Sequence, residues 1–244
     1  MNFKFLIDEK LLFFVCLTKG NKTESWVDLQ NELWDKYRLG YKLLQGKMLG
    51  FFVSSKEDSL SKATAEVDAL FKEGLTSHVF STILKNTQEY KQWLENEWKH
   101  NKTKVLTELE DILKIPLPNQ EHEVFVISRK SNAGRNIGGN KILFGHSEDW
   151  KNYSIAYLVH EALYSVFGKS DLEHALIELA TDNELRIRLN DGEKYFKVGE
   201  LEVGHKYLRE LEKEILPEWR KHLEGKNSVN ELIKKLKSTQ ITQA

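Results

Sequence analysis

Tyr153-Ser-Ile-Ala-Tyr-Leu-Val-His160-Glu161-Ala-Leu-Tyr164-Ser-Val-Phe167 is the stretch whose reading decides the fold. It is mostly apolar, lacks Gly and Pro, and meets Gly168 at its end, so a helix is predicted from about Asp149 to Phe167. Such a helix must be largely buried, and burying His160 beside Glu161 costs free energy unless each finds a partner. The next helix is announced by Ser170 with Glu173 three residues on, a capping box in which each side chain satisfies an exposed amide. It runs to about Leu189, where Asp191-Gly192 stops it, and it contains His174-Ala-Leu-Ile-Glu178-Leu-Ala-Thr-Asp182. Glu178 and Asp182 are four residues apart and share a face, where two carboxylates repel unless a cation or donor lies between them. A metal held by Glu178, with Asp182 orienting a ligand histidine, meets that need. Purely local partners also exist: His174 for Glu178, Arg186 for Asp182, and His160 or Glu178 for the Tyr164 hydroxyl.

Outward from these two helices, Val124 to Ile127 and Asn140 to Gly145 read as strands. Ser131 to Gly139, with its Asn, Gly and Arg, reads as a loop. Its glycines lack the strand-to-helix setting of a phosphate loop. Phe3 to Ile7 alternates like a strand, and Leu11 to Leu17 is an apolar run suited to a buried strand or short helix. Helical spacing recurs over Trp26–Leu44, Leu60–Leu75 and Ser77–Ile112, and Pro116 and Pro118 end that half. A later helix, Leu208 to His222, contains Pro217, and the tail from Gln240 is expected to fray. The predicted fold is α+β and helix-dominated, with a small mixed sheet packed on the His160 helix. Residues 1–115 form a mainly helical lobe or cover, and residues 116–244 form the core.

The 36 basic and 37 acidic residues nearly cancel, so no field of one sign points to nucleic acid or an anionic membrane. The basic run Lys234-Lys235-Leu236-Lys237 reads as the solvated face of a C-terminal helix. The one cysteine, Cys16, excludes an intramolecular disulfide and fits a reducing compartment. Asp8 and Glu9 stand where a signal peptide has basic residues, and the apolar run is too short to span a bilayer. A cytoplasmic location follows as the expectation. Oligomeric state is not legible in the sequence.

The order strand, loop, strand, His-Glu helix and Glu-x-x-x-Asp helix resembles the zincin metallopeptidases, in particular the gluzincin branch. In that family a His-Glu-x-x-His helix supplies two zinc ligands and a general base, and a following helix supplies a glutamate ligand. The resemblance implies that His160 is the first zinc ligand, Glu161 the base, Glu178 the third ligand and Asp182 the carboxylate that holds His160. Tyr164 stands at the second histidine position, and tyrosine ligates only as phenolate, against a reference pKa of about 10. The resemblance also implies that Lys141–Phe144 is an edge strand that binds an extended peptide by backbone pairing. Arg135, Asn136 and His205 are candidates for substrate contact, and His146 and His205 for late acid or oxyanion donor. The implied function is zinc-dependent hydrolysis of peptide bonds, impaired by Tyr164. The alternative is a catalytically inactive zincin-like fold that serves as a binding or regulatory module.

Overall fold

The computed structural model describes residues 1–19, 23–47, 59–192, 194–225 and 227–241. Strand β1 (Asn2–Leu6) is followed by helices α1 (Glu9–Lys19), α2 (Glu24–Lys36), α3 (Arg38–Leu44), α4 (Ser59–Thr76) and α5 (His78–Leu113). Strands β2 (Glu121–Val126), β3 (Ala133–Gly138) and β4 (Lys141–Gly145) come next, then helix α6 (Tyr153–Phe167). Helix α7 (Asp171–Glu178) runs through a π-helical segment, Leu179–Leu185, into α8 (Arg186–Asn190). A two-stranded ribbon, β5 (Lys197–Val198) and β6 (Leu201–Glu202), precedes α9 (Arg209–Glu224) and α10 (Val229–Ile241). The fold is α+β and helix-dominated, with a small mixed sheet, as the sequence predicts. Residues 242–244 of the tail lie outside the described residues.

The sheet has the order β1-β2-β4-β3. β1 and β4 both run parallel to β2, and β3 runs antiparallel to β4. The Lys141–Phe144 strand is therefore central, which corrects its expected place at the edge. The reason lies in the segment expected to be a loop. Gly139 and Asn140 both take positive φ (57° and 59°), the two-residue hairpin geometry that matches strand twist, and this folds β3 onto the free side of β4. Polar composition hid β3 because it is an edge strand with a register shift between Asn136 and Gly138. Gly134 is required there: a Cβ would stand 2.2 Å from the Tyr157 ring of α6.

Helix α5 is one 36-residue rod, about 54 Å long at 1.5 Å per residue. Its first turns (Phe80, Ile83) pack with α1 to α4 around Phe13, Trp26, Leu33 and Leu70. From Tyr90 onward it packs with the sheet, α6, α7 and α9 around Val124, Phe144, Leu158, Leu163, Leu179 and Trp219. Both faces of the sheet are thereby used, since Ile127, Ala133 and Leu143 join the first cluster and Val124, Val126 and Ile142 the second. α6 presents Ile155, Leu158, Val159, Ala162 and Leu163 to this second core, which leaves its other stripe for polar and aromatic groups. Among the described residues no helix is long and apolar enough to cross a membrane.

Candidate metal centre

On that other stripe Tyr153, Tyr157, His160 and Tyr164 follow at intervals of three and four residues. The Tyr157 and His160 rings stack at 5.8 Å and 11°. His160 is 1% exposed. Its Nδ1–H donates to Asp182 Oδ2 at 2.8 Å, the bond expected from sequence. Thr181 Oγ1 steadies the same carboxylate at 3.2 Å. With Nδ1 engaged, Nε2 faces the space between α6 and α7 and meets the Tyr164 hydroxyl at 3.2 Å. Burial alone would lower the His160 pKa, but the Asp182, Glu161 and Glu178 carboxylates outweigh it and raise it to about 9 in the metal-free protein.

The second histidine comes from α7. His160, His174 and Glu178 each offer a ligand atom, and these atoms all lie within 4.8 Å of one another, so the cluster can hold a metal ion. The capping box at Ser170 and Glu173 is present and fixes where α7 begins. His174 and Glu178, at i and i+4, then project from one face. His174, expected only as a local partner for Glu178, therefore joins the candidate donor set. Its Nδ1 is held by the Tyr207 hydroxyl at 2.9 Å, and its buried Nε2 has no hydrogen-bond partner. Glu178 Oε1 lies 3.5 Å from that Nε2, an ion-pair distance that does not satisfy it as a hydrogen bond. An unpartnered buried imidazole nitrogen beside a carboxylate and a second imidazole is the donor set of a metal site, and the residues present fit one. Burial, together with the neighbouring His160 and His205, pushes the His174 pKa down to about 3, so its ring is neutral.

Glu178 is fully buried and is also gripped by His205, whose ring centroid lies 4.8 Å from that of His174. The His205 backbone amide donates to both carboxylate oxygens, at 3.0 and 2.8 Å, and its Nδ1 also bonds to Oε1. Gly204 (φ 80°) makes this approach possible, because a Cβ there would stand 2.0 Å from Glu178 Oε2. The π-helical segment begins directly after Glu178, and the Asn183 side-chain Nδ2 donates to the Glu178 carbonyl. Arg186 donates to the Asp182 carbonyl oxygen and not to its carboxylate, which stays free for His160.

Glu161 is 5% exposed, and its Oε2 accepts the Asn136 amide at 2.5 Å. That amide is free because the β3 register shifts at this residue. Burial raises the Glu161 pKa, partly offset by His160 and the Asn136 amide. A raised carboxyl is a better proton acceptor near neutral pH than an ordinary one. Burial, then Glu161, Tyr207 and Glu178, push the Tyr164 phenol well up, so it is placed as a neutral hydroxyl rather than a phenolate. Arg135 lies on exposed β3, and among the described residues its side chain makes no hydrogen bond or ion pair with the cluster. His146 is also outside it, with Nδ1 on the Ser147 carbonyl. A cavity of about 850 Å³ lies between α2, α5 and the turn at Arg129, and it is lined by none of these residues. Its size does not mark the chemistry, and the donor cluster does.

Comparison of the chain with protein-family models, curated proteins and solved structures finds no match.

Proposed function

We propose that the chain is a zinc-dependent, metallopeptidase-like protein in which His160, His174 and Glu178 hold the metal and Glu161 is the base. The observation that carries this reading is the unpartnered Nε2 of His174, buried and within 4.8 Å of the donors from His160 and Glu178. Two imidazoles and one carboxylate match the protein ligands of catalytic zinc sites, which keep a further position open. Zinc supplies Lewis-acid polarisation of a substrate carbonyl and makes water easier to deprotonate. The chain's own residues do the rest. Asp182 keeps His160 in the tautomer that presents Nε2. Glu161, held through Oε2 by the Asn136 amide, would take the proton from the attacking water. His205, whose side chain is partly exposed, is the candidate to meet incoming substrate. The Tyr164 hydroxyl stands beside His160 Nε2 and is not counted as a ligand.

The test is metal content of protein purified without added zinc, compared with His160→Ala and His174→Ala, followed by peptide hydrolysis with Glu161→Gln as control. One equivalent in the parent protein, lost in both histidine variants, supports the centre. Hydrolysis lost in Glu161→Gln with metal retained supports the peptidase. A second reading has its own observation: Tyr164 on His160 and His205 on Glu178 satisfy polar groups without any metal. In that reading the fold is a catalytically inactive binding or regulatory module, and the metal content is zero.

A further inference from the structure

Each imidazole of the proposed centre needs something to hold its outer nitrogen, and the two histidines are treated differently. His160 is held by a buried carboxylate on its own side of the core. His174 is held by Tyr207, a residue that is 66% exposed yet turns its hydroxyl inward to Nδ1 at 2.9 Å. Tyr207 sits on a short loop whose two ends are fixed in the core by Val203 and Leu208, each 1% exposed. The Arg209 guanidinium adds a bond to the Val203 carbonyl and another, at 2.9 Å, to the buried Glu212 carboxylate. From the same loop His205 grips Glu178 through its amide and its ring. One loop thus touches two of the three metal-facing residues.

We propose that Tyr207 is the positioning residue for His174, and that loop 203–208 clamps His174 and Glu178 in their metal-facing orientations. The inference rests on the proposed metal centre. A hydroxyl accepts the Nδ1–H and leaves the Nε2 lone pair directed at the metal, as Asp182 does for His160. A neutral hydroxyl is a weaker acceptor than a carboxylate and can rotate to become a donor. His174 is therefore the ligand whose tautomer depends most on its partner. Removing the hydroxyl leaves the ring free to place a proton on Nε2, which blocks ligation.

Titration of the full chain with zinc, using Tyr207→Phe and His174→Ala, tests this together with the ring ¹⁵N–¹H spectrum of His174 in zinc-free protein. Tyr207 is exposed, so Tyr207→Phe is expected to fold with an unchanged melting temperature. Zinc affinity is expected to fall 10- to 100-fold in Tyr207→Phe, the usual range for losing an outer partner. The His174 spectrum of zinc-free protein should shift from the Nδ1–H form toward the Nε2–H form. Zinc bound equally by the parent protein and Tyr207→Phe, with unchanged His174 shifts, overturns the clamp and leaves the metal centre standing. Absence of zinc binding by the parent protein overturns both.

Discussion

Replacing Asp182 by Asn removes the charge that holds His160 while keeping the size of the side chain. In metal-free protein the His160 pKa stands at about 9 against its ordinary 6.5. A folded-state value above the unfolded one means that the native state binds this proton more tightly. The stabilisation is fully present below pH 6.5 and is lost as pH rises through 9. At 1.36 kcal/mol per pH unit the difference amounts to roughly 3 kcal/mol. Asp182 is the largest favourable contributor, at 2.8 Å and 4% exposed, so most of this should vanish in Asp182→Asn. The assay is urea unfolding in the presence of a chelator, at half-unit steps from pH 6 to 9.5, for both proteins. Other groups titrate in this range, Glu212 among them, raised to about 8 by burial and by Glu178. Asp182 also contributes to the Glu212 shift, so both proteins carry Glu212→Gln, and the difference between the two curves then reports mainly His160. The gap in stability should be greatest near pH 6 and shrink by about 2 to 3 kcal/mol by pH 9. Parallel curves would refute the assignment of this charge pair.

Gly204→Ala forces a Cβ to within 2.0 Å of Glu178 Oε2 at a φ of 80°, and should cost about 1 to 3 kcal/mol in urea unfolding and weaken zinc binding. Tyr164→Phe removes the hydroxyl at 3.2 Å from His160 Nε2; zinc affinity should hold or rise, whereas a metal-free network would lose about 1 kcal/mol of stability. His122 is fully buried with both ring nitrogens unpartnered, and burial lowers its pKa, so below its ordinary 6.5 the unfolded chain takes the proton first and stability falls with pH. His122→Leu should flatten that fall between pH 6.5 and 5. Leu158→Ala, at a fully buried position in the second core, should cost about 2 to 5 kcal/mol in the same assay.

Features that rest on local chemistry were legible in the sequence. The capping box at Ser170 and the stop of α6 at Gly168 follow from neighbours in sequence, whereas the Asp182–His160 bond, 22 residues apart, was implied by the family resemblance. What depends on distant partners was not. β3 is a strand only because a hairpin places it against β4, and its polar residues gave no alternation to read. The same hairpin moved Lys141–Phe144 from the edge to the middle of the sheet. Helical spacing over 77–112 marks α5 and allows one helix or two, because spacing does not report which core the apolar face meets along its length. His174 was the important omission. The signal was present, a histidine and a glutamate at i and i+4 on one face. Because the family motif places both histidines on one helix, it points to Tyr164 and away from the next helix, where His174 lies. His205 and Gly204 reach Glu178 from 26 or more residues away, and no local pattern announces such a contact.

The most direct measurement is an anomalous-difference map at the zinc edge from crystals grown with zinc. The account predicts one peak bonded to Nε2 of His160, Nε2 of His174 and the Glu178 carboxylate, with metal–ligand distances of about 2.0 to 2.2 Å. Asp182 and Tyr207 should remain on the two Nδ1 atoms, and Glu161 should lie beside the metal without ligating it. No peak between α6 and α7, or a peak that leaves His174 unligated, would contradict the account.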